Sequence, residues 1–181
     1  MGVCLSSVVP SPIRNHFLHI QELMENVPAG DLAEFGVFEG GTTVQLASFG
    51  RKVWAFDTFS GIPEEDFRKY IDWQNPPGKF SADPRKELSR LGNIECIAGR
   101  FAESLPRFDP AVRFAFAYVD CDLYESYRQV LAFLDKRMLP GGIFLCDDQS
   151  CEGALKAMKE FLEIYSWKTD CNFEVFRRKA S

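Results

Sequence analysis

The sequence predicts an α/β fold: a doubly wound, mostly parallel sheet that finishes in a C-terminal antiparallel hairpin. Three observations predict it. Short apolar runs alternate with segments of helical period over most of the chain. Two of these runs stop abruptly on aspartates: Phe114-Ala-Phe-Ala-Tyr-Val-Asp120-Cys-Asp122 and Gly142-Ile-Phe-Leu-Cys-Asp147-Asp148. Such runs read as buried parallel strands that end at a turn. The tail carries two further short strand-like runs.

The elements follow in order. Residues 1–10 are a lead-in. Ser11-Pro12 opens a helix, with Ser as N-cap and Pro in the first position. Ile13, Phe17, Ile20 and Met24 give that helix an apolar stripe, and Pro28-Ala-Gly30 ends it. Residues 1–29 are thus an extension and one helix ahead of a single domain over 1–181. Residues 32–37 predict a strand, 42–49 a helix, and 52–56 a second strand ending at Asp57. Residues 60–83, rich in Gly and Pro, predict a long loop, and Tyr70, Trp73 and Phe80 make it either a lid or a packed surface loop. Residues 84–91 predict a helix, 94–98 a strand closed by Gly99, and 114–120 a strand. Then come a helix over 124–138, a strand over 142–147 and a helix over 152–165. Residues 167–169 and 173–178 predict the hairpin.

The 181 residues suffice for one domain with a sizeable core, and 17 Phe suit a well-filled interior. A net charge of −5 argues against a nucleic-acid binder held by a basic groove. The six Cys form no Cys-x-x-Cys pair, which favours reduced structural thiols in a cytoplasmic protein. No run approaches the roughly 20 apolar residues of a membrane span, and no secretory signal is expected. Met1-Gly-Val-Cys-Leu-Ser fits a myristoylation pattern only superficially.

Two ends of the sheet carry candidate chemistry. After the first strand comes Glu34-Phe-Gly36-Val-Phe-Glu-Gly-Gly41-Thr42-Thr43, whose glycines permit close approach of a ligand to a helix N-terminus. Its Gly-x-x-x-Gly-Gly spacing departs from the usual dinucleotide fingerprint. Asp57 ends the second strand about 20 residues after Gly36, where an acid binds ribose hydroxyls in dinucleotide folds; capping of the next turn is the alternative. Gly99-Arg100-Phe101 follows the third strand, and Phe101 either stacks on a base or fills the core.

At the other end, Asp120, Asp122, Asp147 and Asp148 terminate two strands. Carboxylates are costly to bury without a partner. Oxygen ligands with water suit Mg²⁺, or Ca²⁺ or Mn²⁺. Both histidines, His16 and His19, lie far off in sequence, which argues against zinc and against a histidine base. Capping of the following helices is the alternative, above all for Asp122.

With these segments in view, the chain resembles the class I S-adenosylmethionine-dependent methyltransferases, which have a Rossmann-like sheet. More closely it is similar to the macrocin O-methyltransferase family, which methylates sugar hydroxyls of antibiotics. The resemblance covers residues 30–165. It rests on the glycine turn, Phe56-Asp-Thr-Phe-Ser-Gly-Ile-Pro63, Asp120-Cys-Asp-Leu-Tyr-Glu-Ser126 and Leu139-Pro-Gly-Gly-Ile-Phe-Leu-Cys-Asp-Asp148. The family's double Asp continues with Tyr, where this chain has Gln149.

The resemblance implies S-adenosylmethionine as cofactor. Glu34, Gly36, Val37, Gly41 and Thr42 would face its methionine part, and Asp57, Thr58 and Phe59 its ribose. Gly99, Arg100, Phe101 and Asp120 would complete the pocket. The resemblance also implies Mg²⁺ on Asp120, Asp147 and Asp148, and Asp120 or Asp122 as the base for a hydroxylated small-molecule acceptor. Relatives carry further N-terminal helices over the acceptor site, so a partner or a second subunit has room to complete it. The rivals are a NAD-dependent oxidoreductase and a non-catalytic S-adenosylmethionine-binding module. A membrane or nucleic-acid partner is not expected.

Overall fold

The computed structural model describes residues 16–70, 74–170, 172 and 174–178. The strands are β1 (Asp31–Phe35), β2 (Val53–Asp57), β3 (Ile94–Ala98), β4 (Phe114–Val119), β5 (Met138–Cys146), β6 (Trp167–Thr169) and β7 (Val175–Arg178). They form one seven-stranded sheet in the order β3-β2-β1-β4-β5-β7-β6. The first five strands pair in parallel. β7 runs antiparallel between β5 and β6, as the tail predicts.

The helices are α1 (His16–Met24), α2 (Gly41–Ser48), α3 (Glu64–Phe67), α4 (Arg85–Leu88), α5 (Phe101–Ser104), α6 (Tyr124–Arg137) and α7 (Glu152–Ile164). Because side chains alternate across a strand, each central strand feeds two cores. Phe35, Phe56, Phe114, Val119 and Phe144 pack under α6 and α7, against Val130, Leu134, Met158 and Phe161. Leu32, Val53, Phe116, Ile143 and Leu145 pack against Ile20 and Leu23 of α1 and Leu46 of α2. All six residues of β4 are buried, which explains its unbroken apolar run.

Several expectations differ in detail. The expected helix over 84–91 is one turn of α-helix followed by a 3₁₀ turn at Ser89–Leu91. The loop over 60–83 contains α3, and α5 lies in a stretch without an expected element. Each is a single turn, too short for a helical apolar period to emerge. β5 starts at Met138, directly where α6 stops. The expected start of the first helix at Ser11 and Pro12, the lead-in, and Trp73 and Phe173 lie outside the described residues. Among the described residues, no helix is long and apolar enough to cross a membrane.

Candidate functional site

The strand order reverses between β1 and β4, and the crevice above that point is where open α/β sheets hold ligands. Gly36 leaves β1 there. Its N–H donates to the Phe56 carbonyl at 3.0 Å, and the Asp120 N–H donates to the Phe35 carbonyl at 2.9 Å. The two chain segments cross so closely that a Cβ on Gly36 would stand 1.7 Å from the Asp120 carbonyl oxygen. With φ at 91°, Gly36 also has a backbone that only glycine adopts cheaply.

Asp57 pins the loop that follows. Its Oδ2 accepts the N–H groups of Val37 at 2.6 Å and Phe38 at 3.2 Å, and its Oδ1 accepts the Phe59 N–H at 2.8 Å. The capping alternative is therefore present, and it extends across to the glycine turn. Glu34 is buried beneath the turn and accepts a hydrogen bond from the Thr43 hydroxyl. Burial pushes its carboxyl up to about 8, with the Asp57 charge adding to the rise against the Thr43 hydrogen bond.

A cavity of about 530 Å³ opens above these groups. Glu34, Gly36, Val37, Gly41 and Thr42 line it from the glycine turn, and Asp57 and Thr58 from the end of β2. Gly99, Arg100 and Phe101 line it beyond β3, and Asp120 and Asp122 beyond β4. Phe59, expected at the ribose, is not on this wall. Its φ of 56° turns the ring into the core below, where Arg85 covers it at 5.0 Å.

The acidic end differs from the expected trio of Asp120, Asp147 and Asp148. Strand alternation sends the two consecutive aspartates to opposite faces. Asp147 is exposed and hydrogen bonds Tyr118, on the α1 and α2 side. Asp148 is buried on the α6 side, where its N–H approaches the Tyr127 hydroxyl at 3.4 Å. The Asp148 Oδ2 accepts the Asp122 N–H at 2.9 Å, which holds Asp122 in a left-handed turn with φ of 58°.

Among the described residues, the ligand atoms that gather within 4.8 Å of one another belong to Asp122, Asp148 and Cys151. Neither Asp120 nor Asp147 belongs to that group. Burial first, then the charges of Asp148, Asp147 and Asp122, raise the Asp120 carboxyl well above the usual range. Burial also raises Asp148. Asp122 does not cap α6, whose N-cap position is Leu123 without a side-chain cap.

Asp66 and Phe38 are walls of the cavity that the sequence reading missed, whereas Phe80 belongs to the loop expected as a lid or a packed surface loop. Asp66 of α3 lines it with its residue 1% exposed, and Phe38 and Phe80 meet across its mouth at 5.5 Å. Asp66 sits in the run Glu64-Glu65-Asp66, which reads in sequence as an ordinary solvated acidic patch. Phe38 and Phe80 have left-handed backbones, an arrangement that residue type does not announce.

A family model described as Macrocin-O-methyltransferase (TylF) matches residues 14–172. The chain belongs to the macrocin O-methyltransferase family. A tetracenomycin-C rhamnosyl 4′-O-methyltransferase of Streptomyces olivaceus is 30% identical over 162 residues, 79% of this chain and 61% of that protein. The demethyldecarbamoylnovobiocin O-methyltransferase of Streptomyces niveus is 26% identical over 78% of this chain and 62% of its own length. The chain thus spans about three fifths of these relatives.

The fold of this macrocin O-methyltransferase family member is that of solved class I methyltransferases. A calicheamicin methyltransferase superposes with a TM-score of 0.76 at 21% identity, covering 91% of this chain and 79% of that one. The O-methyltransferase NovP gives 0.71 at 23% identity, with the same coverage. A methyltransferase fold implies S-adenosylmethionine, and the cavity offers what that molecule needs. It has a glycine turn for close approach, an acid at the end of β2 and a concave, open-mouthed volume.

Proposed function

We propose that this chain is an S-adenosylmethionine-dependent O-methyltransferase acting on a hydroxyl of a sugar or natural product. The observation that carries the reading is the convergence of the glycine turn, Asp57 and Asp120 on one cavity at the strand-order reversal. The relatives' names support a hydroxylated acceptor.

The cofactor supplies an activated sulfonium methyl, and the protein supplies position and electrostatics. The turn at Gly36, Val37 and Gly41 takes the amino-acid end, and Asp57 with Thr58 the ribose. The Asp57 Oδ2 is filled by two backbone N–H groups, so the acceptor capacity left for a ribose hydroxyl is on Oδ1. Asp120 lies on the cavity wall and accepts the acceptor's hydroxyl proton. Burial and the neighbouring acids favour the protonated Asp120 carboxyl, so its role as base depends on the cation below, which would return it to the carboxylate form. Asp122, held by Asp148, sits beside it and orients the hydroxyl.

A divalent cation, Mg²⁺ first, belongs to the same proposal. The oxygens of Asp122 and Asp148 are the donors for it, and a cation there offsets the mutual repulsion that raises the neighbouring Asp120. Cys151 is a poor Mg²⁺ ligand. Its thiol instead donates to Asp148 at 3.7 Å.

Titration with S-adenosylmethionine and with NADH tests the reading. Binding of the first and not the second is expected, and the reverse would establish the oxidoreductase rival. Undiminished turnover in excess chelator would remove the cation, and with it Asp120 as the base, and leave the cofactor reading standing.

A further inference from the structure

We propose that Phe38 and Phe80 are specificity-determining residues: the aromatic pair at the mouth takes an apolar ring of the acceptor, while the acidic lining of the cavity turns away acceptors that carry phosphate. The inference rests on the O-methyl transfer reading above and adds to it a choice between acceptors. The sugar is methylated as a neutral glycoside, after glycosyl transfer, and not as its nucleoside diphosphate ester.

Four non-glycine residues among those described have left-handed backbones: Phe38, Phe59, Phe80 and Asp122. That conformation is costly for a bulky side chain. Phe59 gains a buried place for its ring, and Asp122 is short and polar, with its N–H bound to Asp148. Phe38 and Phe80 are bulky and gain no such burial. Their φ angles are 49° and 60°, yet they stay 42% and 38% exposed. The loop backbone sets both in place. The Phe38 N–H donates to Asp57 Oδ2 at 3.2 Å, and the Ile62 N–H donates to the Lys79 carbonyl, next to Phe80, at 2.9 Å. Gly61 lies against that same turn, where a Cβ would stand 2.6 Å from the Lys79 carbonyl oxygen. Two half-exposed rings are thus held edge to face across an opening, a preorganised apolar contact for a ligand. Phe17 of α1 lines the same cavity.

The charge of the wall decides what those rings meet. Six acids line the cavity: Glu34, Glu39, Asp57, Asp66, Asp120 and Asp122. Burial favours the protonated forms of Glu34 and Asp120, which still leaves four carboxylates. Glu39 is exposed, one residue on from Phe38. Among the described residues, Arg100 is the one cation on the wall, and its charge is offset by Asp66 at 2.8 Å, Glu65 at 3.1 Å and Glu103 at 3.6 Å. Lys79 lies 4.4 Å from the centre of the Phe80 ring, where the Gln74 carbonyl engages it at 2.8 Å and Asn75 Oδ1 at 2.9 Å. The N-terminus of α2, at Gly41 and Thr42, suits an anion, and in the reading above the cofactor's carboxylate takes it. A diphosphate brought to this wall meets like charge and no uncommitted fork of N–H donors. A neutral glycoside avoids that conflict. It offers a hydroxyl to the acids beyond β4 and an apolar aglycone to the rings.

The test is a matched acceptor series offered to the full chain with S-adenosylmethionine and Mg²⁺: free hexoses and deoxyhexoses, their naphthyl glycosides and their nucleoside diphosphate esters. Methyl transfer is read by mass spectrometry, and affinity for S-adenosylhomocysteine is measured alongside by calorimetry. For a sugar that is methylated, kcat/KM should be about tenfold higher for the naphthyl glycoside than for the free sugar, and lowest for the nucleotide ester. Phe80→Ala should remove most of the naphthyl advantage, chiefly through KM, and Phe80→Tyr should restore it. Glu39→Lys should raise kcat/KM for the nucleotide ester severalfold, and more at low salt. The series on the unaltered chain carries the test if Phe80→Ala does not fold.

A nucleotide ester used as well as the naphthyl glycoside, or better, would overturn the proposal. So would an equal loss of free sugar and naphthyl glycoside in Phe80→Ala, which marks a merely structural ring. A parallel loss of S-adenosylhomocysteine affinity would place the ring in the cofactor site and overturn it too. Methylation of no member of the series by a chain that binds S-adenosylhomocysteine would instead overturn the methyl-transfer reading beneath it.

Discussion

At the scale of single residues, Gly36 and Glu34 carry the sharpest expectations. Gly36→Ala places a methyl inside the Asp120 carbonyl and keeps a positive φ. Main chain must move, so a loss on the order of 3 kcal/mol or more is expected in urea unfolding. Glu34 gives a pH signature. Its folded-state pKa, about 8, lies above its ordinary value of 4.5, so the folded state holds a proton that the unfolded state has released between these limits. Stability from this group is complete below the lower value and is lost as pH rises through the upper one. Unfolding free energy should therefore fall from about pH 4.5 to about pH 8, and Glu34→Gln should flatten that slope. An unchanged slope would place the ionised carboxylate in the core. Asp57→Ala should weaken cofactor binding by tenfold or more, because the carboxylate that orders three backbone N–H groups, and in the proposed site binds the ribose, is lost. An unchanged dissociation constant would remove Asp57 from the ribose site. The glycine turn and Asp57 were legible because chain crossing and strand ends demand particular residue types. Phe59 was not, since whether its ring turns up or down depends on one backbone angle.

At the scale of elements, the ends of β4 and β5 decide the acidic site. Both strands were legible from their apolar runs, and the parity of β5 separates its two aspartates. Phe144 and Cys146 face α6 and α7, whereas Ile143 and Leu145 face the other core. Asp147 follows the second set and Asp148 the first. Three residues that end neighbouring strands thus do not converge merely by ending there. Asp148 is left to hold the Asp122 turn through its 2.9 Å bond. Asp148→Ala should cost about 1–3 kcal/mol of stability for the orphaned donor. It should also lower kcat while leaving the affinity for S-adenosylhomocysteine unchanged. Weaker cofactor binding with normal kcat would place Asp148 elsewhere in the mechanism. The single-turn helices α3 and α5 escaped the sequence reading because four residues hold no period, yet α3 supplies the buried Asp66. Short elements near a site are fixed by tertiary ion pairs, which local pattern does not record.

At the scale of the whole molecule, the fold separates tasks along one sheet edge. The β1–β2–β3 side carries the glycine turn, Asp57 and Arg100, and the β4–β5 side carries the acids. The segment after β2 ties the two together: Asp66 pairs with Arg100 beyond β3, and Lys69 pairs with Glu125 of α6 at 3.2 Å. Tyr70 packs on Tyr124 at 5.0 Å, which carries the same segment to the start of α6. This layout was legible in outline, because alternating strands and helices fix a reversal point and hence a crevice. The bridge across it was not, for it rests on pairs between residues distant in sequence. Methyl transfer to oxygen is tested most directly by mass spectrometry of a panel of glycosides incubated with the chain, S-adenosylmethionine and Mg²⁺. The expected result is a singly O-methylated product that Asp120→Asn abolishes while cofactor binding persists. Tight cofactor binding with no methylated product from any hydroxylated acceptor would contradict it.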